Sequence, residues 1–324
     1  MQLRRGLCFA LLFVLPPALK PMALRLLCRA QIGRRVSIGW FSSIRAGTVR
    51  LGDDSAIRGL TIISCNGDLV LGKFTQVSSL TLVYGSASLV LGDHSYLGPQ
   101  SLINVDECVR LGHHSALGAR TVIYTHGSWL PYIEGYWARF GAVTIGDYVW
   151  CAACVFLHPG ITIGDRVFVN SRSVVTMDIP SDSVAEGNPA RIVGHMAQMR
   201  RKMTPVRVDA AIAEMLRYFI EVELRRVRGL DPVQESSDSW RTRSNREAQR
   251  LIIVRSTSPT GSAPSAGGND VFLINRAGFD ARHALSLNFT TMLADVRDDE
   301  LGKALVDFFK RYYGIQFEHA ARGG

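Results

Sequence analysis

His126 is the side chain whose type and position in this sequence best suit chemistry. A six-residue repeat runs up to His126 and resumes at Val143. The segment between them is rich in aromatic residues, namely Trp129, Tyr132, Tyr136, Trp137 and Phe140. Because the unperturbed pKa of imidazole lies near neutrality, a histidine can exchange protons at physiological pH. An aromatic loop leaving a rigid scaffold is a common binding element, so His126 and this loop form the candidate functional site. The alternative is that His126 is only a polar corner residue.

Residues 32–180 carry the repeat that must position this histidine. Its Leu-Gly pairs at 51, 71, 91 and 111 are twenty residues apart. From Ile145 the chain reads as the units IGDYVW, CAACVF, LHPGIT, IGDRVF, VNSRSV and VTMDIP. Three such units make one turn of a triangular coil, with the first, aliphatic residue inside and glycine permitting the tight turn. The small or β-branched fifth residue also points inward. The twenty-residue spacing predicts extra residues at one corner of the early coils; a sandwich or barrel of short strands is the alternative.

The repeat resembles that of the hexapeptide-repeat acyltransferases, and its subtype is similar to the galactoside, maltose and polysaccharide O-acetyltransferases. The likeness is strongest over residues 120–194, in the segments RTVIYTHG, AVTIGDYVWCAACVFLHPGITIGD and SVVTMDIPSDSVAEGNPARIVG. The segment MALRLLCRAQIG resembles the exopolysaccharide members. The resemblance implies an all-β fold, a left-handed parallel β-helix over residues 32–195. It also implies a homotrimer, because in the family the coenzyme lies between subunits.

The same resemblance implies roles for individual residues. His126 would be the general base that takes the proton of an acceptor hydroxyl, and the Ala153 backbone amide would stabilise the thioester oxygen. The residues implied at acetyl-CoA are Trp150, Ala153, Ser171, Arg172, Thr176 and Arg191. Met177 departs from the family pattern by replacing a lysine expected near the coenzyme phosphates, and Arg172 is the candidate substitute. The residues implied at the acceptor are Asn104 and Asp106, one coil before His126, and Trp129 and Tyr132 in the loop.

The remaining histidines and cysteines predict neither a metal nor a redox site. Zinc-binding relatives of this fold use histidines that are close in sequence, whereas His113 and His114 lie thirteen and twelve residues before His126. Cys151 and Cys154 have the spacing of a redox pair, but the repeat places Cys151 inward and Cys154 outward. Six Cys at irregular spacing predict a reducing compartment without disulfides.

The N-terminal segment, residues 1–31, is both basic and apolar. Residues 1–50 contain nine Lys and Arg and no Asp or Glu, whereas the rest of the chain holds 28 of each. A basic body that would bind nucleic acid is therefore not indicated. Prolines and Lys20 interrupt the apolar run, which is shorter than the about 20 residues that a spanning helix needs. We predict two short helical pieces on an anionic membrane surface; a helical cap packed on the next domain is the alternative.

The chain after the solenoid predicts a helix and a small appendage. Residues 196–228 have a helical apolar pattern, which predicts a helix that caps the last coil or joins subunits. Residues 229–324 predict a small α+β domain of unknown role. Within it we expect a polar linker at 229–248, strands at 250–255, 271–275 and 285–293, a Ser/Pro/Gly-rich mobile stretch at 256–270, and a helix at 298–314.

The leading hypothesis is an acetyl-CoA-dependent O-acetyltransferase that acts on a sugar hydroxyl. The resemblance places it in surface-polysaccharide or lipid-linked sugar biosynthesis, in the cytoplasm and peripherally at the inner face of the membrane. Two alternatives stay open. One is N-acetylation of an amino sugar, for which the fold and the base would be the same. The other is a non-catalytic β-helix scaffold, for which Met177 is the hint.

Overall fold

The computed structural model describes residues 2–128, 130–236, 239–243, 248–254, 271–275, 285–295 and 300–319. The chain divides into two compact units, Met1–Arg201 and Lys202–Gly324. The predicted domain boundaries at 31, 195 and 228 stay predictions.

The first unit contains a parallel β-helix with three faces, which confirms the predicted solenoid. The first face consists of the strands Gln31–Ile32, Val49–Leu51, Leu69–Leu71, Leu89–Leu91, Val109–Leu111, Val143–Ile145 and Thr162–Ile163. The second face consists of Ser37–Ile38, Ala56–Ile57, Gln76–Val77, Tyr96–Leu97, Ala116–Leu117, Trp150–Cys151, Phe168–Val169, Ser183–Gly187 and Ala190–His195. The third face consists of Ser43–Arg45, Ile62–Cys65, Leu82–Gly85, Leu102–Asn104, Val122–Ile123, Phe156–Leu157 and Val174–Val175. The left-handed sense of the coil stays a prediction.

The register between coils explains the two spacings in the sequence. Val70 lies beside Val90, twenty residues on, whereas Trp150 lies beside Phe168, eighteen residues on. The two extra residues of the early coils lie at the corner between the third and first faces, which spans residues 64–68, 84–88 and 104–108 in successive coils. We call this corner the wide corner. The predicted enlargement of one corner is therefore confirmed.

Inward side chains follow the predicted pattern. The aliphatic residues that begin the six-residue units, such as Ile103 and Ile163, are buried, and so are fifth-place residues such as Ser115 and Val155. In several early coils the fifth-place hydroxyl donates to the backbone of the next coil: Ser95 donates to the Gly112 carbonyl at 2.5 Å and Ser115 to the Gly146 carbonyl at 2.8 Å. Within the described residues the buried Ser55 hydroxyl has no such partner. Where the bond forms, a hydroxyl inside the prism is satisfied by the stacking itself, as most buried polar groups are.

Two helices close the N-terminal end of the prism. Helix α1 is Gln2–Val14, a short 3₁₀ turn is Pro17–Leu19, and helix α2 is Lys20–Cys28. Leu12 and Leu24 join the solenoid core, which makes the segment a cap on the first coil. Lys20 is fully buried and donates to the carbonyls of Gly39 and Ser42 at 2.7 and 2.9 Å. No helix in the described part of the chain is long and apolar enough to cross a membrane.

The far end of the solenoid finishes in a hairpin. Strand Ser183–Gly187 pairs with Phe168–Val169 in parallel, and Ala190–His195 then pairs with it in the antiparallel sense. The short helix α3, Met196–Met199, follows at once.

In its described residues, the second unit combines two long helices with a mixed seven-stranded sheet. Helix α4 is Pro205–Phe219 and continues as a π-helical segment, Ile220–Val227, and helix α5 is Glu300–Tyr313. The strands are Val233–Ser236, Ser239–Arg243, Ala248–Val254, Val271–Asn275, Leu285–Asn288, Leu293–Asp295 and Glu318–His319. Strands near 250–255 and 271–275 and the C-terminal helix are thus present close to the predicted positions. The single strand predicted at 285–293 is instead an antiparallel pair, Leu285–Asn288 and Leu293–Asp295, joined by a turn.

The stretch 229–248, predicted as a polar linker, instead holds two strands, and Trp240 on the second of them is buried in the core of the unit. Helix α4 buries its apolar face in this same core, where Phe219 packs edge-on against Phe308 at 5.2 Å between ring centroids. The predicted role of residues 196–228, as a cap on the last coil or as a link between subunits, stays a prediction. The Ser/Pro/Gly-rich stretch 256–270 lies outside the described residues.

Candidate active site

His126 lies at the wide corner of the β-helix, where the regular coil is interrupted. Its strand, His126–Gly127, pairs in the antiparallel sense with Arg139–Phe140, which brings the chain back to the next coil. The first-face register jumps from Arg110 to Thr144 across this insertion, a step of 34 residues. The predicted break in the repeat at His126 is therefore present as a loop closed by a two-stranded ribbon.

Two side chains of the preceding coil hold the imidazole ring. His126 Nδ1 lies 3.1 Å from Asn104 Oδ1 and 3.0 Å from Asp106 Oδ2. Asn104 is completely buried, whereas the side chains of His126 and Asp106 are each about a third exposed to solvent, at 31% and 34%. Contacts at Nδ1 therefore fix the orientation of the imidazole ring, while part of the ring stays accessible to solvent.

The hydrogen-bond network identifies the nitrogen that carries the proton. The Thr125 hydroxyl donates to Asn104 Oδ1 at 2.6 Å, and the Asn104 amide Nδ2 donates to Asp106 Oδ2 at 3.0 Å. Asn104 thus presents an oxygen to His126, and an ionised carboxylate only accepts hydrogen bonds. Because both neighbours of His126 Nδ1 are acceptors, the neutral ring carries its proton on Nδ1 and keeps the lone pair on Nε2.

Asp106 is held in its charged form. The Asn104 amide is the main cause that lowers the pKa of Asp106 below its ordinary value, and the Ser86 hydroxyl adds to it, while partial burial acts in the opposite direction. Ser86 donates to Asp106 Oδ1 from its backbone N–H at 3.1 Å and from its hydroxyl at 3.2 Å. A carboxylate that stays ionised beside Nδ1 stabilises an imidazolium, the species formed when Nε2 accepts a proton.

Aromatic rings surround this polar cluster. The Tyr124 ring meets His126 edge-on at 6.2 Å, and the Phe140 ring stacks beside it at 6.0 Å. Burial is the main cause that raises the pKa of Tyr84, and a hydrogen bond with Tyr124 contributes. The site therefore combines one proton-accepting nitrogen with flat apolar surfaces, which suits a sugar ring.

Of the two loop residues predicted at the acceptor, the structure describes Tyr132 alone. Tyr132 lies in the short 3₁₀ turn Tyr132–Glu134 and is 72% exposed. Trp129 lies outside the described residues. Their roles at the acceptor stay predictions.

The residues predicted at acetyl-CoA lie on the last coils and at the final hairpin. Trp150 is 57% exposed, and its ring lies 4.8 Å from that of Phe168 on the next coil. Ala153 accepts a hydrogen bond at its carbonyl from the Arg172 N–H at 3.0 Å. Within the described chain its own N–H has no acceptor, so this amide is available as a donor.

The other coenzyme candidates are accessible but not joined in one network. Ser171, Arg172 and Arg191 are exposed and Thr176 is half-exposed, as is expected of groups that contact a ligand on the outer surface. Met177 is exposed as well. Arg172 lies one coil beyond Ala153, and Arg191 lies in the final hairpin.

The cysteine pair has the predicted geometry. Cys151 is fully buried, and burial raises the pKa of its thiol to about 12. Cys154 is half-exposed in the left-handed backbone region. The two side chains point in different directions, and the described residues include no group of His, Cys, Asp or Glu that could hold a metal ion.

The outward histidines form a structural ladder. The rings of Phe74, His94, His114 and Tyr148 stack in succession, with centroids 4.8, 4.7 and 4.9 Å apart. His113 Nδ1 accepts the backbone N–H of Asp93 at 3.0 Å. These histidines therefore join successive coils on a corner different from that of His126.

Sequence reasoning missed how the residues of this site contact one another. It placed Asn104 and Asp106 at the acceptor, whereas the structure places them against His126. It did not identify Thr125 and Ser86 at all. The repeat contained a signal for Ser86, because this residue occupies the place of Asp106 one coil earlier, exactly twenty residues before it in the sequence.

The fold and site define a hexapeptide-repeat solenoid in which one corner holds a histidine whose Nδ1 contacts Asn104 and Asp106. No protein-family model matches the chain. Over 51 residues it is 45% identical to the galactoside O-acetyltransferase of Escherichia coli K12, a match that covers 16% of this chain and 25% of that enzyme. Over 51 residues it is 43% identical to the "Putative colanic acid biosynthesis acetyltransferase WcaF" of Escherichia coli K12, covering 16% of this chain and 28% of that protein.

Among solved structures, a hexapeptide-repeat acetyltransferase of Vibrio cholerae in complex with acetyl coenzyme A is 21% identical. The match covers 59% of this chain and 85% of the Vibrio cholerae chain, with a TM-score of 0.35. The matched segments span less than a third of the length of the two curated relatives. The shared segments and the observed solenoid confirm the predicted resemblance to hexapeptide-repeat acyltransferases.

Proposed function

We propose that this protein is an acetyl-CoA-dependent O-acetyltransferase that acts on a sugar hydroxyl, in surface-polysaccharide or lipid-linked sugar biosynthesis. The observation that carries the proposal is His126, whose Nδ1 is held by Asn104 and Asp106 so that Nε2 is free to accept a proton. The segments shared with a galactoside O-acetyltransferase support the reaction class.

His126 is the proposed general base. Its Nε2 would accept the proton of the sugar hydroxyl as that oxygen forms a bond to the acetyl carbon. The same proton would then go to the departing sulfur, which restores the neutral ring and balances the transfer. When bound, acetyl-CoA supplies the activated acetyl group. A positioned base of this kind contributes roughly 10²–10⁴-fold to a rate.

Asp106 and Asn104 are proposed as positioning residues. The ionised Asp106 carboxylate stabilises the positive charge that His126 acquires during proton transfer, and Asn104 keeps the ring in the required tautomer. Because both side chains contact Nδ1 of the ring, the two residues would act through His126. Facing the acceptor, as predicted from the resemblance, would be a second role.

The later coils and the final hairpin are the proposed binding surface for acetyl-CoA. The Ala153 N–H, which lacks an acceptor within the described chain, is the proposed donor to the thioester oxygen. The residues proposed to contact acetyl-CoA are Trp150, Ser171, Arg172, Thr176 and Arg191. In this proposal Arg172 supplies the positive charge that Met177 lacks.

We further propose a homotrimer and a peripheral location at the inner face of the membrane. The outward row of the third face supports the assembly, because its residues are apolar in coil after coil and are half-buried or, for Leu82, exposed, namely Ile62, Leu82, Leu102, Val122, Phe156 and Val174. Trp129 and Tyr132, in the loop beside His126, are the proposed contacts for the sugar.

A thiol-release assay with acetyl-CoA and candidate glycans tests the proposal. We expect glycan-dependent release of the coenzyme thiol and a product whose acetyl group is removed by mild alkali, as an ester is. An alkali-stable product would identify the amide of an N-acetyltransferase instead. No glycan-dependent release by a folded protein across neutral, amino and lipid-linked sugars would favour the scaffold.

A further inference from the structure

The N-terminal cap leaves large apolar side chains uncovered. On α2, Met22 and Leu26 are one helical turn apart and are 54% and 69% exposed. A second group, at the start of the solenoid, consists of Phe13, Trp40 and Phe41, with ring centroids 5.7 Å apart for Phe13 and Phe41 and 6.0 Å apart for Trp40 and Phe41. We call these five residues the apolar cap surface.

The opposite side of the same helices packs against the first coil of the solenoid. Leu24 and Lys20, which lie one turn apart on α2, are buried in the end of the prism, and Leu12 of α1 is buried there too. The Ser43 hydroxyl donates to the Phe9 carbonyl and ties α1 to the first coil. The cap is therefore a docked structure with a definite outer side, and its exposed residues are not needed to hold it in place.

The charges on this outer side differ from what composition alone indicates. Lys20 is buried, so it does not face a partner. Arg34 and Arg35 pair with Asp53 and Asp54 of the next coil, which offsets their charge.

Arg25 and Arg29 remain beside Met22 and Leu26. Both are exposed, and Arg25 donates to the carbonyls of Ile32 and Gly33 without forming an ion pair among the described residues. Residues 1–50 contain no acidic side chain at all.

We infer that the apolar cap surface binds an anionic lipid bilayer, with Met22, Leu26 and the aromatic group below the headgroups and Arg25 and Arg29 among the phosphates. Long apolar side chains next to arginines, on a helix too short to span, match the chemistry of the membrane interface. Tryptophan prefers this boundary because its ring is apolar and its N–H is polar. This inference rests on the proposed peripheral location and adds to it the side chains that enter the bilayer and the arginines that contact its phosphates.

The charge pattern favours lipid over a protein partner. A protein interface usually presents both signs of charge at its rim, whereas this surface has cations and no acid among residues 1–50. Anionic headgroups are attracted by each basic side chain near the surface, and this attraction is screened by salt.

Vesicle co-sedimentation of the full-length protein tests the inference. The probes are vesicles of phosphatidylcholine alone and vesicles that also contain phosphatidylglycerol. We expect binding to the anionic vesicles that weakens as salt is raised. Leu26→Glu should reduce this binding roughly tenfold or more, because it removes apolar burial and adds a repelled charge.

Val206→Glu is the matched control, since Val206 is an equally exposed apolar residue (67%, against 69% for Leu26) on the helix α4 of the second unit. It should bind vesicles as the wild type does. Brominated lipid should quench tryptophan fluorescence in the wild type, and Trp40→Phe should lose most of that quenching while Trp240→Phe keeps it.

Two results would overturn the inference: no sedimentation with anionic vesicles, or unchanged vesicle binding by Leu26→Glu, whether its oligomeric state stays the same or changes. A changed oligomeric state with unchanged vesicle binding would assign the surface to a second copy of the chain. Because lipid binding is measured without acetyl-CoA or glycan, its failure is distinguishable from failure of the proposed transferase activity.

Discussion

The early coils and the late coils of the solenoid solve the same packing problem in different ways. After a first step of nineteen residues, the early coils repeat every twenty residues, have a wide corner and place Ser or Thr inside at the fifth place. Late coils repeat every eighteen residues, have three equal corners and place mainly Val or Ile there. The polar cluster around His126 lies at the wide corner, where the early type ends.

This difference explains why the site is where it is. The wide corner supplies two residues per coil beyond what the prism needs, and Ser86, Asn104 and Asp106 lie in those corner segments. In the late coils the step from Leu157 to Ile163 is only six residues, which leaves no room for such a cluster. Irregularity in a solenoid thus provides the space for a functional site.

The largest expected effect is a loss of kcat when the histidine at the wide corner is removed, with no loss when a histidine at another corner is removed. His126→Ala should lower kcat roughly 10²–10⁴-fold with the fold intact, because it removes the proton acceptor. His113→Ala, at a different corner, is the control and should keep wild-type turnover. Steady-state thiol release and circular dichroism measure both variants. Near-normal turnover in folded His126→Ala would contradict a catalytic wide corner.

Asp106→Asn tests whether the wide corner acts through the histidine. It keeps the shape but removes the charge, so kcat should fall roughly 10–100-fold. Asp93→Asn makes the same change outside the site and should have no effect on kcat. Equal effects of the two substitutions on kcat would contradict the proposal that Asp106 acts through His126.

The same variant has a predictable pH dependence of stability. The Asn104 amide, followed by Ser86, holds the folded pKa of Asp106 below its ordinary value. Its carboxylate therefore stabilises the fold above the ordinary aspartate pKa of about 3.9, and this contribution is lost as the pH falls through the lowered folded value. Thermal unfolding should show a lower Tm for Asp106→Asn at neutral pH and a shrinking difference in acid. A constant difference would contradict the lowered pKa.

Asn104→Ala measures how far the buried amide stabilises the wide corner. It removes the partner of the Thr125 hydroxyl and of the Asp106 carboxylate, so the free energy of unfolding should fall by about 1–3 kcal/mol. Urea unfolding checks this value. An unchanged midpoint would mean that water replaces the amide without cost.

The smallest effect concerns the inward hydroxyls of the early coils. Ser115 donates to the Gly146 carbonyl at 2.8 Å and accepts the Val149 N–H at 2.9 Å. Ser115→Ala should lower the free energy of unfolding by about 1 kcal/mol, since both backbone groups lose a bond. Urea unfolding of the variant, with no loss of thiol release, would sharpen the distinction between structural early-coil hydroxyls and the catalytic corner.

Much of the architecture could be predicted because each coil depends mainly on local sequence. Aliphatic residues at steps of six fixed the faces, and the twenty-residue spacing fixed the wide corner. The late strands of the second unit followed from short apolar runs. The linker prediction at 229–248 differed because a single residue, Trp240, draws its strand into a core that long-range packing creates.

The sequence by itself determined the solenoid, its interruption at His126 and the coincidence of basic and apolar residues at the N-terminus, since these follow from periodicity and composition. Only the tertiary structure decided that Asn104 and Asp106 contact the imidazole, because this depends on which side chains stacking brings together from different coils. It also decided that Lys20 is buried and that Arg34 and Arg35 are paired. The charge available for a partner depends on three-dimensional pairing, and a count of residues does not contain that information.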